Sequence, residues 1–209
     1  MIRKIRNNIF TIIGIILILT SSVFLINDIL KERQTETLNI ELVEEFFEEE
    51  SEESKEEQVE EKEEVKTETS SPTYNYIAVL EIPSIGLKRG FVDFGSAYNN
   101  VKYNIQVIEH SEMPNVENSN LILAAHNGTS SVSFFNDLDK LKEDSLVYVY
   151  YDNVKYIYKI NNHYEAKKDG MVEIIRNKNK TAITLITCKK NSDDKHLVYI
   201  GYLVDKGTY

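Results

Sequence analysis

Three textures follow one another along this chain: an unbroken apolar run, an acidic run, and, from Tyr74 onward, short apolar segments separated by turns. Ile9 to Ile26 holds no charged residue and is dominated by Ile, Leu, Phe and Val. As a helix rising 1.5 Å per residue it would be about 27 Å long, close to the hydrocarbon thickness of a bilayer. After Tyr74 the apolar runs have the length and β-branched or aromatic content of strands. Strands are expected over Tyr76–Ile82, broken at Pro83-Ser-Ile-Gly86, then over Val101–Glu109, Leu121–Ala125, Leu146–Tyr151, Val154–Ile160, Ala182–Cys188 and Leu197–Val204. Asp152-Asn153, between two aromatic-rich runs, reads as a two-residue hairpin turn. Val132, Phe135, Leu138 and Leu141 predict a short helix over Ser131–Leu141. The sum is a mostly β domain, a closed or nearly closed barrel with one or two short helices, preceded by a single transmembrane helix.

Charge sharpens this layout. Residues 1–73 hold 8 Lys+Arg against 18 Asp+Glu, whereas residues 74–209 hold 16 of each. The net charge of −10 therefore lies wholly before the β-rich part, mostly between Glu41 and Glu64. A domain without basic excess lacks the electrostatic footprint of a nucleic-acid binder. Arg3, Lys4 and Arg6 precede the apolar run with no acid beside them, which predicts a cytoplasmic N-terminus and an exported C-terminal part. No A-x-A-like cleavage site follows, so the run reads as an uncleaved anchor. The expected segments are a basic tail over 1–8, an anchor over 9–26, an acidic Glu-rich stalk over 27–73 and a β domain over 74–209. Leu38, Leu42, Val43, Phe46 and Phe47 fall at helical spacing, so a short amphipathic helix continues from the membrane side. Beyond Phe47 the chain reads as extended.

Only one cysteine is present, Cys188, at the end of Thr181-Ala-Ile-Thr-Leu-Ile-Thr-Cys188. A second apolar run, Leu121-Ile-Leu-Ala-Ala-His126, ends in a histidine. Two strands that each deliver one reactive side chain at a tip supply what thiol acyl transfer requires, a nucleophile and a proton donor for the leaving group. A buried Cys acting as a small hydrophobe is the plainer alternative.

The chain resembles the sortases, the membrane-anchored cysteine transpeptidases of Gram-positive bacteria. The resemblance covers residues 75 to about 204. It rests on Ile77-Ala-Val-Leu-Glu-Ile-Pro-Ser-Ile-Gly-Leu87, Ala124-Ala-His-Asn-Gly-Thr129, Phe134-Phe-Asn-Asp-Leu-Asp-Lys-Leu141 and Thr184-Leu-Ile-Thr-Cys188. It implies an eight-stranded β-barrel, with Cys188 as nucleophile and His126 as the proton donor and acceptor. Thr187 would line the substrate groove. The implied partners are exported proteins carrying a C-terminal Leu-Pro-x-Thr-Gly-like sorting signal, and an amine acceptor on a peptidoglycan precursor or a pilin lysine. No cofactor is implied.

One position departs from the family. Sortases carry an arginine near the start of the strand after the cysteine; here that position falls on His196, with Lys195 beside it. Either would be a substitute donor for the oxyanion, but neither offers the five-donor fork of a guanidinium. Two function classes follow: a working transpeptidase, or a catalytically weak sortase-fold module that binds sorting signals. A zinc site from His126, Cys188 and His196 lacks the usual ligand spacing. The acid pairs Asp137/Asp139 and Asp193/Asp194 read as solvated turns rather than calcium ligands. Arg176 could reach inward from the loop before the cysteine strand, and Arg89 reads as a surface residue.

Overall fold

The computed structural model describes residues 2–53 and 74–209; the Glu-rich run 54–73, part of the expected stalk, lies outside the described residues. The chain divides into two units, one ending at Leu38 and one spanning Asn39–Tyr209. Helix α1 (Ile2–Glu53) begins in the first unit and carries the apolar run there. It is the one helix among the described residues long and apolar enough to cross a membrane. Ile12, Ile16 and Phe24 are exposed on it, the arrangement expected where lipid is the solvent. Thr20 and Ser22 turn their hydroxyls back onto the carbonyls of Leu17 and Ile18, at 3.0 and 2.8 Å, so neither presents an unsatisfied group.

The second unit is an eight-stranded, nearly closed barrel. Its strands are β1 (Ala78–Ile82), β2 (Leu87–Phe91), β3 (Gln106–Val107), β4 (Asn120–Ala124), β5 (Leu146–Tyr151), β6 (Val154–Lys167), β7 (Ala182–Cys188) and β8 (Lys195–Thr208). They hydrogen-bond in the order β2-β1-β5-β6-β8-β7-β4-β3. All pairs are antiparallel except β4 with β7. The β1–β2 connection is a 3₁₀ turn at Pro83–Ile85, closed by Gly86 at φ 65°, whose N–H donates to the Pro83 carbonyl at 3.1 Å. A side chain there would be strained, so the glycine is needed. Asp152 and Asn153 both take positive φ, 55° and 56°, as the expected two-residue hairpin requires.

Why β7 reads as continuous rather than alternating apolar follows from its place. Ile183 and Leu185 point into the barrel beside Leu121, Leu123, Phe135 and Tyr199. Ile186 points outward, into a second cluster with Ile122, Val198 and Ile200 that Tyr164, Val172 and Ile174 cover. A strand buried on both faces needs apolar residues at every position.

Several elements differ from the sequence reading. No α-helix forms over Ser131–Leu141; the segment is a chain of turns with a 3₁₀ turn at Leu138–Lys140. The apolar positions recur every three residues, which suits 3.0 rather than 3.6 residues per turn, and Phe135 N–H is diverted to the His126 carbonyl at 3.0 Å. The strand expected over Val101–Glu109 shrinks to Gln106–Val107. Asn99 takes both polar groups of Val107 through its own amide, at 2.7 and 2.9 Å, in place of a longer ladder. Strand β2 was hidden by its composition, Leu-Lys-Arg-Gly-Phe. Arg89 within it is not a surface residue: it is 5% exposed, with its guanidinium 3.9 Å from the Phe134 ring centroid. Gly90 makes room for Tyr76, whose ring would lie 1.9 Å from an added Cβ.

The expected stalk also differs where it is described. The helix runs on to Glu53, and from Asn39 onward it belongs to the barrel unit. Leu42, Val43 and Phe46 are buried, and Phe47 meets Tyr150 and Tyr209 edge-on at 5.1 and 5.3 Å. Asn39 donates to the Lys88 carbonyl at 3.1 Å and accepts from the Tyr76 hydroxyl at 3.3 Å; Glu50 accepts from Asn153 N–H at 3.0 Å. The acidic residues stay helical because this apolar stripe anchors them. A protein beginning at Asn39 is therefore expected to melt at least about 5 °C above one beginning at Tyr74, since burial of a single large apolar side chain already outweighs that shift. Differential scanning calorimetry of the two forms tests this; equal melting temperatures would contradict the docking.

Candidate active site

Strand pairing builds the site in a single row. Cys188 is the last residue of β7, and its register partner on β8 is His196. Lys189 N–H donates to the Lys195 carbonyl at 2.9 Å, so the Cys188–His196 pair is of the non-hydrogen-bonded kind, in which side chains stand closest. On the other flank, the parallel β4–β7 register runs from Asn120↔Ala182 to Ala124↔Ile186, and two further residues bring His126 level with Cys188. Alternation puts these residues on one face: Ala124 and Ile186, each two residues earlier, share the outer apolar cluster with Val198. Histidine, cysteine and histidine thus lie abreast on β4's extension, β7 and β8. Cys188 is partly exposed.

Side chains around the row hold it. Thr187 is 2% exposed, and its hydroxyl donates to the Ala125 carbonyl at 2.9 Å. It ties the end of β4 to β7 one residue before His126 and Cys188. Asn127 donates its amide N–H to the Cys188 carbonyl at 3.1 Å, and its Oδ1 has no hydrogen-bond partner. Among the described residues neither imidazole hydrogen-bonds the thiol, and His196 Nδ1 is buried without a partner.

Lys195 is not part of this row. Strand alternation turns it to the opposite face, where Glu165 Oε2 takes its ammonium at 2.7 Å and Oε1 takes that of Lys189. Hydrogen bonds from Lys189 and then Lys195 hold the Glu165 carboxyl down at about 2, and the pairing with Glu165 raises Lys195. Arg176 likewise spends itself locally, on the carbonyls of Lys180 at 3.1 Å and Asn118 at 3.2 Å, which fastens the loop before β7. The acid pairs are also occupied in part: Asp137 meets Lys140 at 2.9 Å and Asp139 meets Lys190 at 3.3 Å. His110 stands exposed in a turn at φ 65°, and His163 stacks on Tyr199 with centroids 5.2 Å apart.

Comparison with known proteins agrees with the fold. The family model described as a sortase domain matches residues 80–204. A curated relative, sortase A of Bacillus anthracis, is 30% identical over 129 residues, which span 61% of this chain and 60% of the relative's length. Among solved structures, Clostridium perfringens sortase C with the C-terminal cell wall sorting motif is 28% identical. It aligns with a TM-score of 0.55 over 63% of this chain and 71% of its own. Sortase C1 of Streptococcus agalactiae is 27% identical, with a TM-score of 0.55 over 62% of this chain and 68% of its own.

Because its folded pKa is lowered, Glu165 contributes stability above the ordinary value of 4.5 and loses that contribution as pH falls toward about 2. The melting temperature of Glu165→Gln is expected to fall less steeply than that of the parent across this window. Parallel curves for the two proteins would mean that the lysine pair adds nothing to stability.

Proposed function

Because the chain belongs to the sortase family, we propose that it is a cysteine transpeptidase held at the membrane by its N-terminal helix. Its substrates are exported proteins with a Leu-Pro-x-Thr-Gly-like signal near the C-terminus, and its acceptor is an amine on a cell-wall precursor or a pilin lysine. The basic residues before the anchor support a cytoplasmic N-terminus and an external barrel. The observation that carries the reading is the row of His126, Cys188 and His196 on one face.

In this reading the Cys188 thiolate attacks the signal's carbonyl carbon, and the electron pair moves onto the oxygen. His126 protonates the departing amine, the carbonyl re-forms as a thioacyl-enzyme, and the acceptor amine attacks it. His126 then takes the proton this amine sheds, and the thiolate leaves. His196 would donate to the oxyanion in the role the family gives to an arginine; its position across from Cys188 supports this. A single N–H is a weaker donor than a guanidinium fork, which sustains the second reading, a signal-binding module with little turnover.

Incubation of the full chain with a pool of sorting-signal peptides and amine acceptors tests the two. Mass spectrometry is expected to find a thioacyl adduct that Cys188→Ala abolishes and His126→Ala reduces by about 10²-fold or more. His196→Ala is expected to lower transfer by about 10²–10³-fold, the range for loss of one oxyanion donor, and His196→Arg to restore it. A folded protein whose thiol alkylates but forms no adduct with any peptide would favour the binding module.

A further inference from the structure

Side chains close the barrel where its ladder stops. The strand order begins at β2 and ends at β3, so among the described residues no strand pairing joins these two edges. Strand β4, which leads into His126, lies next to the β3 edge, and its pairing there covers only Gln106↔Ala124 and Val107↔Leu123. Across this seam stands Arg89 of β2, 5% exposed, with its guanidinium 3.9 Å from the centroid of the Phe134 ring. Phe134 belongs to the segment that follows His126 and packs half-buried against the core.

Backbone bonds carry this contact to the histidine. Phe135, next to Phe134, is fully buried, and its N–H donates to the His126 carbonyl at 3.0 Å. One residue further, Asn136 Oδ1 accepts from Gly128 N–H. The loop from His126 to Asn136 is thus tied end to end, and Phe134 is the point at which its base meets β2. An aliphatic side chain at position 89 would fill the seam without the cost of burying a charge. A guanidinium adds what an aliphatic group lacks: a flat, weakly hydrated cation whose attraction to an aromatic face depends on where the ring lies. Arg89 is itself held beside Tyr76, whose hydroxyl is pushed up by burial and by Tyr74 and drawn down by the guanidinium.

We propose that Arg89 is a positioning residue for His126: through the face of Phe134 it fixes the base of the loop that holds this histidine level with Cys188, without touching substrate. The kinetic consequence rests on the transpeptidase reading above, whereas the placement of His126 is read directly from the imidazole.

The test uses the full chain in detergent micelles, isotopically labelled at the Cε1 carbon of its four histidines. Arg89→Met keeps the bulk and loses the cation. It is expected to shift the His126 Cε1–H resonance, identified by its loss in His126→Ala, and to leave those of His110 and His163 in place. Phe134→Leu, which removes the half-buried ring, is expected to move the same resonance and decides the matter if Arg89→Met does not fold. With a sorting-signal peptide and an amine acceptor, each variant is expected to lower kcat about tenfold with KM within about twofold, since a misplaced proton donor slows the step without loosening the signal. Arg89→Lys retains the cation and is expected to return kcat to within about threefold of the parent. The double variant is expected to lie within about twofold of either single one, because both remove the same contact. An unmoved His126 resonance, a shift shared by all four histidines, no recovery in Arg89→Lys, or losses that multiply in the double variant would overturn the positioning role and leave the transpeptidase reading in place. A parent protein without transfer, whose His126 resonance still moves in both single variants, would overturn the transpeptidase reading and support the placement.

Discussion

Parallel strands cannot be joined by a tight turn, and β4 and β7 are separated by the whole β5–β6 hairpin and the loop beyond it. Their pairing is nevertheless the contact on which the site depends. It brings residues some sixty positions apart to the same level, and its register runs unbroken from Asn120↔Ala182 to Ala124↔Ile186. A buried hydrogen bond from Thr184 to Asn120 at 2.9 Å marks one end, and the Thr187–Ala125 and Asn127–Cys188 bonds mark the other. A slip of one residue would turn Cys188 into the barrel and leave His126 outside. The apolar residues on both faces of β7 make that slip costly, because every position is already committed to a core.

The barrel divides its outer surface between two tasks. Around β2 and β5 it meets the helical residues from Asn39 onward, through Asn39 on the Lys88 carbonyl and Phe47 on Tyr150. Around β4, β7 and β8 it carries the row of His126, Cys188 and His196 and the apolar cluster beside it. Arg89, on β2, keeps its buried charge against the Phe134 ring. Arg89, Arg176 and Lys195 are each engaged away from Cys188, whereas His196 is its register partner.

Where the sequence was legible, local chemistry and tertiary demand agreed. The β5–β6 hairpin was readable because Asp152-Asn153 tolerates positive φ and its flanks alternate. Strand β7 was readable because burial on both faces leaves an uninterrupted apolar run. Strand β2 was not, since its arginine and glycine are explained only by Phe134 and Tyr76, which come from elsewhere in the chain. The turns after His126 resembled a helix because a three-residue repeat is close to helical spacing; diversion of Phe135 N–H to the His126 carbonyl decides against it.

By itself the sequence determined that an apolar helix precedes a β domain of balanced charge, and that one cysteine and one histidine stand at strand ends, because these follow from composition and local periodicity. The family motifs added which of them to pair. Only the tertiary structure decided that His196 and not Lys195 lies level with Cys188 on its face, that Thr187 fastens β7 to the end of β4, and that Asn39–Glu53 is part of the folded unit. Each of these is a question of which face a residue presents, and a face is fixed by pairing with strands remote in sequence, which no local pattern encodes.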